Sequence, residues 1–259
     1  MEFDLTQIKL SHNDIKRGLI LPNRHSELLA EFIGILAGDG YINSDSKKYS
    51  YIIEIAGNKI LDKDYLEYYI KNLVKQLFKI GCRVYYKKNE NTACVRVLSK
   101  GLFYYLTNLG FKNGKKEQIR IPSWILKNDK LMLAFAKGLI DTDGSLMLIK
   151  KPSKKSDYYP VISIKLKSNV MINQVGCFLN KLGFIVNIIE DEIRIDKRGY
   201  NNTLVSSVII SGRKNLDLWM NSISFRNKKH LDKYEKYVKS LKNNNMGRME
   251  FESMIMEGH

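Results

Sequence analysis

The amino-acid sequence predicts an α+β fold built from two pseudo-symmetric halves, each reading αββαββα. Three landmarks that recur in the same order predict it. "LLAEFIGILAGDGYI" (28–42) resembles "LAFAKGLIDTDGSL" (133–146), setting Gly34 over Gly138, Asp39 over Asp143 and Gly40 over Gly144. "LFKIGCRV" (77–84) resembles "LNKLGFIV" (179–186), and "LTNLGFKNGKK" (106–116) resembles "MNSISFRNKKH" (220–230). The offsets are 104, 102 and 114 residues. Chance explains one such match easily and three in order poorly.

Each half carries the same elements in turn. A helix of small residues ends at Asp-Gly. Strand-like runs follow at 41–57 in the first half and 145–167 in the second. In "DKDYLEYYIKNLVKQLFKIG", Leu66, Ile70, Leu73, Val74 and Leu77 recur at helical spacing, with Gly81 as the stop. Its counterpart, "SNVMINQVGCFLNKLG", ends at Gly183. Two further strands read over 83–97 and 185–211, and a last helix starts near 100 and near 213. "IRIPSWI" around Pro122 bridges the halves, which span 25–127 and 128–240. Residues 1–24 form a leader and 241–259 a tail.

The 259 residues carry 43 Lys+Arg against 27 Asp+Glu, a net charge of +16. That balance favours a polyanionic partner, through steering and counterion release. The basic residues are spread along the chain and do not form a basic amphipathic helix at a terminus, so nucleic acid fits better than a membrane surface. Cys82, Cys94 and Cys177 are scattered without a CxxC pair, which argues against zinc and disulfides and for a reducing compartment. No apolar run approaches the ~18 residues of a membrane span, and the N-terminus lacks a signal-peptide core. The expectation is a soluble, intracellular protein that does not engage a membrane.

In "EFIGILAGDG", Gly34 and Gly38 share one helix face; Gly138 and Thr142 hold the same places in the second copy. Each glycine costs an exposed helix about 1 kcal/mol relative to alanine. Close approach of two helices is a compensating reason, as small residues provide in membrane helices. Side-by-side packing of the copies would bring Asp39 and Asp143 out together. Two carboxylates about 4 Å apart repel by about 4 kcal/mol at an effective dielectric near 20, and each also faces the negative end of its helix. One Asp-Gly is an ordinary turn. Two of them, each ending a small-residue helix in a strongly basic chain, point to a bound cation. Oxygen-only ligands favour a hard divalent ion, Mg²⁺ first, with Mn²⁺ in its place as the alternative.

These two segments resemble the paired motifs of single-chain LAGLIDADG homing endonucleases. "FIGILAGDG" (32–40) matches the motif at its third, eighth and ninth positions, and "AKGLIDTDG" (136–144) matches six of nine. The resemblance covers about residues 25–235. It implies that each half lays a curved antiparallel sheet into the DNA major groove, the two forming a saddle joined at a two-helix interface. It also implies that Asp39 and Asp143 bind the metals that cut both strands, with the carbonyls of Gly38 and Thr142 as further ligands. Asp141 stands where the first copy has Ala37, so it reads as a helix-surface or interface group outside the catalytic set.

The resemblance further implies lysines beside the metals. The repeat offers Lys115 over Lys229 and Lys116 over His230, a one-residue gap would pair Lys116 with Lys229, and Lys167 is a second choice. DNA contacts should come from alternating strand positions. Arg83, Tyr85 and Lys87 share one face, Lys165 and Lys167 another, and Arg96, Arg194 and Arg198 are similar candidates. Arginine suits bidentate reading of guanine, and lysine mostly holds phosphate. The expected activity is site-specific, Mg²⁺-dependent cleavage of both strands of double-stranded DNA by a monomer. The alternatives are an intron-RNA maturase and a DNA-binding regulator that has lost cutting. The first residues Met-Glu and the last Gly-His do not match the terminal splicing residues of an intein.

Overall fold

Ser26 and Asn128 start the two motif helices. The Ser26 side chain accepts from the Leu29 N–H to cap α2 (Glu27–Asp39), and Asn128 accepts from the Lys130 and Leu131 N–H groups to cap α6 (Asp129–Asp143). Gly40 and Gly144 end them in extended backbone and begin a strand at once. The computed structural model describes residues 2–45, 47–111, 119–150, 158–194 and 203–241.

In the first half β1 (Gly40–Asp45), β2 (Ser50–Asn58), β3 (Arg83–Tyr86) and β4 (Thr92–Leu98) form an antiparallel sheet in the order β1-β2-β4-β3. In the second, β5 (Gly144–Lys150), β6 (Tyr158–Leu166), β7 (Val186–Arg194) and β8 (Thr203–Ser211) repeat it as β5-β6-β8-β7. The repeat extends to register: Gly40 pairs with Ile55, and Gly144 with Ile164. Between the second and third strands run a π-helical stretch (Tyr65–Ile70) continuing as α3 (Lys71–Phe78) in one half, and α7 (Asn169–Lys181) in the other. Helices α4 (Lys100–Asn108) and α8 (Arg213–Ser222) close each half, short α5 (Ser123–Leu126) precedes α6, and a last helix spans 228–241. The predicted αββαββα order is present twice. The π-helical turn departs from the regular helix expected at 62–81.

Period-2 alternation sorts each sheet into a core face and an outer face. Ile53, Ile55, Val95 and Val97 are buried on one side of the first sheet, as are Ile162, Ile164 and Leu166 in the second. Glu54 and Arg96, and Lys165, lie on the opposite sides.

The motif helices meet through their glycines. A methyl group on Gly34 would lie 2.1 Å from the Phe135 carbonyl oxygen, and one on Gly138 would lie 2.2 Å from that of Glu31. Phe135 follows Glu31 by the same 104 residues, so the internal repeat returns as a local two-fold relation in space. A methyl on Gly38 would overlap the Thr142 hydroxyl.

The leader has a structural role that its sequence does not reveal. Asp14, in α1 (His12–Lys16), is fully buried. Its carboxylate accepts from the Gly101 N–H at 3.0 Å and the Ser99 hydroxyl at 2.7 Å, supplying an anion to the N-terminus of α4. Ser11 and Arg17 complete its shell. Asp14→Asn should therefore lower stability by about 2 kcal/mol, the scale of hydrogen bonds to a charged group, measured by urea unfolding. Among the described residues no helix is long and apolar enough to cross a membrane.

Candidate functional site

The last residues of the two motif helices open into one cleft of about 300 Å³, lined by Gly38, Asp39, Asp143, Lys165, Lys167 and Arg194 among others. Asp39 is half-buried and Asp143 exposed. The chain thus assembles two carboxylates at negative helix ends, with three cations on the adjoining wall. Among the described residues no group of three or more His, Cys, Asp or Glu side chains converges. That donor set suits Mg²⁺, which binds through one or two carboxylates and keeps water and substrate oxygens as its other ligands.

Of the two proposed lysines, Lys115 lies outside the described residues, and Lys229 stands at the motif. Its ammonium is 3.4 Å from the carbonyl oxygen of Thr142 and 3.0 Å from Asp62 Oδ1. His230 is not a site cation: it is buried against Phe225, and burial first, then Lys229 and Lys233, push its pKa down to about 3.

Of the two readings of Asp141, the structure supports the interface group and not the helix surface. The residue is fully buried, and its carboxylate accepts the backbone N–H groups of Arg226 (3.0 Å) and Asn227 (3.0 Å). Burial raises its pKa to about 7 against those hydrogen bonds. Its task is to seat the chain just before the last helix. Glu31, one residue before the first motif, does related work. It accepts from the Tyr69 hydroxyl at 2.6 Å and from Arg226 Nε at 3.0 Å, while the Arg226 guanidinium covers the Tyr69 ring at 4.5 Å. Sequence reasoning passed over this group, because its members stand far apart along the chain.

The outer sheet faces carry the predicted basic residues, several already paired. Arg83, Lys87, Lys165, Lys167 and Arg194 are exposed. Arg96 is tied to Glu54 and stacks on Tyr85 at 4.3 Å, and the Tyr85 hydroxyl also donates to Glu54. Lys87 pairs with Glu90 at 3.4 Å and Lys165 with Glu192 at 2.9 Å. Arg198 lies outside the described residues. The one signal for the Glu54 pair was alternation, which puts Glu54 and Arg96 on outward positions of their own strands without saying that the strands are neighbours.

Residues 130–223 match the model of the LAGLIDADG-like domain. An uncharacterized protein of Methanocaldococcus jannaschii is 33% identical over 179 residues, covering 68% of this chain and 62% of that protein. The replication factor C small subunit of the same organism is 28% identical over 218 residues, 83% of this chain and 10% of that one. The chain thus spans under two thirds of the first relative and a tenth of the second. Among solved structures, the I-LtrWI LAGLIDADG homing endonuclease bound to target DNA aligns with a TM-score of 0.54 at 14% identity, covering 89% of this chain and 96% of that one. I-DmoI in complex with DNA and Mn aligns at 0.51 and 21% identity, covering 76% and 96%. At such identities these structures establish the fold. With one motif copy inside the matched domain, a second at residues 32–40 and the doubled sheet topology, the chain carries a LAGLIDADG-like domain within the two-motif fold of these structures.

Proposed function

We propose that this protein is a site-specific DNA endonuclease that hydrolyses both strands of a long duplex target as a monomer, with Mg²⁺ or Mn²⁺. The observation that carries the reading is the shared cleft: Asp39 and Asp143 at two helix C-termini, walled by Lys165, Lys167 and Arg194. Carboxylates in that position gain from a cation, and basic side chains beside them gain from a phosphate. A divalent ion held there by Asp39, Asp143 and the Gly38 and Thr142 carbonyls supplies charge neutralisation at the phosphate and a more acidic water. In this reading Lys229 adds positive charge where negative charge develops. Lys115 does the same for the other strand, with Lys167 as the further cation of the cleft. The outer sheet faces carry Arg83, Tyr85, Lys87, Arg96, Lys165 and Arg194 to the groove, and Arg198, outside the described residues, is a further candidate. Likeness to DNA-bound I-LtrWI and to I-DmoI with DNA and Mn supports both the substrate and the metal class.

The test is direct. The purified protein is incubated with Mg²⁺ and DNA spanning the rejoined flanks of its reading frame, and the ends are sequenced. Recurrent breaks at one site, lost with EDTA, are expected; intact DNA would overturn the reading. Affinity should also fall steeply with salt, by about 0.9 in log–log slope per neutralised phosphate. Lys87→Ala should lower that slope by about one, as read by fluorescence anisotropy across a salt series.

A further inference from the structure

We propose that the outer face of the second sheet reads its half of the target through the methyl groups of thymine, while the first sheet reads the other half by hydrogen bonds. This rests on the DNA-binding part of the reading above and not on cleavage. The two sheets share one register, followed along the strand pairs from each motif's final glycine. Next to that glycine in the first half, Tyr41, Glu54, Arg96 and Arg83 form one outward row across the four strands, each paired with the next. The same row in the second half is Ser145, Ser163, Ile209 and Asn187. A carboxylate and two guanidiniums thus give way to a hydroxyl, an isoleucine and an amide. One row further from the cleft, Asn43 and Ile52 correspond to Met147 and Val161. In the row beyond, Asp45 and Ser50 correspond to Ile149 and Tyr159.

The two faces suit different features of a base pair. Arginine reads guanine and a carboxylate reads the amino group of cytosine, so the first row is equipped for hydrogen bonds to base edges. The second face has no charged side chain in these three rows. Its Asn187 suits adenine, the partner of thymine. Met147 and Ile149 are 40% and 50% exposed on it, an apolar strip that gains by being covered. The C5 methyl of thymine is the apolar group that a base pair offers in the major groove. What brings a duplex there is the cleft end of the same face. Lys165 stands two residues along its strand from Ser163, and with Arg194 it lines the cleft of Asp39 and Asp143. A duplex whose phosphates are held by those cations continues over the strip. The half-site beneath the second sheet should therefore be rich in T·A pairs.

The test replaces each thymine of the target duplex in turn by uracil, which lacks only the methyl group, and reads affinity by fluorescence anisotropy. Sensitive thymines should cluster in one half-site, each replacement costing about 4-fold, the equivalent of about 0.8 kcal/mol for one buried methyl-sized group. In a Met147→Ala/Ile149→Ala double variant, which trims only exposed side chains, those losses should largely vanish. Arg83→Ala should leave them in place. The double variant should also bind more weakly with an unchanged salt slope, because no phosphate contact is removed. Uracil losses spread evenly over both half-sites, no losses at all, or losses that persist in the double variant would overturn this assignment. So would a dimer of this chain that the double variant abolishes with DNA affinity intact, since a second copy would then own the face. Binding with the methyl pattern but without Mg²⁺-dependent breaks would sink the nuclease reading and leave this one standing. Absence of any binding to the duplex would overturn both.

Discussion

Asp39→Asn and Asp143→Asn should each abolish double-strand cleavage, with the rate at saturating protein falling by on the order of 10³ or more and affinity for the target shifting only a few-fold. The reason is where the charge acts. A divalent ion held by the motif carboxylates contributes several kcal/mol at the transition state, and each 1.4 kcal/mol is a factor of ten in rate. In the ground state Asp39 and Asp143 repel a phosphate, so neutralising one costs little binding. Single-turnover cleavage and equilibrium binding on one substrate separate the two. Asp141→Asn is the matched comparison. It replaces a buried acceptor of two backbone N–H groups two residues from Asp143 and should cost about 1–3 kcal/mol of stability while cutting continues. Normal cleavage by Asp143→Asn would remove that residue from the site.

Gly34→Ala should be among the most destabilising single substitutions, costing about 3 kcal/mol in urea unfolding. Its methyl group would stand 2.1 Å from a carbonyl oxygen on the facing helix, and backbone cannot rotate aside as a side chain does. The helices must part, and overpacking of this kind costs about 1–3 kcal/mol or more. Gly138→Ala should behave alike, because it makes the same contact in the other direction. Gly81→Ala is the contrast: nothing lies within 4 Å of its added carbon, so its effect should stay within about 0.5 kcal/mol. Equal midpoints for Gly34→Ala and Gly81→Ala would mean that the helices are not in close contact in solution.

Much of this was legible along the chain, and the limits have a physical cause. Gly34 and Gly138 announced close helix packing because a missing side chain leaves a periodic trace. Ile162, Ile164 and Leu166 announced a core face by alternation. Both are local signals. Partnerships across the chain leave no such trace: nothing near Lys229 names Asp62, and nothing near Arg96 names Glu54. Asp141 was half legible for a related reason. Its absence from the first copy left it a helix-surface or interface group, and only the fold shows that it is buried under the Arg226 and Asn227 N–H groups from far along the chain. The π-helical turn at Tyr65–Ile70 was also invisible, since its apolar residues fit regular helical spacing.

The segments that close each half also cross to the other. After the first half, the Ile119 carbonyl accepts from the Ser168 hydroxyl at 2.7 Å and the Ile121 N–H donates to Gln174. After the second, Arg226, Asn227 and Lys229 return to Glu31, Tyr69 and Asp62. Synthesis runs from the N-terminus at roughly 5–20 residues per second, and domains tend to fold in that order. Glu31 and Asp62 therefore leave the ribosome well before the cations that pair with them exist. Until residues 226 to 229 have emerged, Glu31 has the Tyr69 hydroxyl and Asp62 the Asn58 N–H, and neither has its full set of partners. Contacts so distant along the chain close late and slow folding. The two halves should consequently mature as one cooperative unit after release, even though each contains a complete sheet of its own.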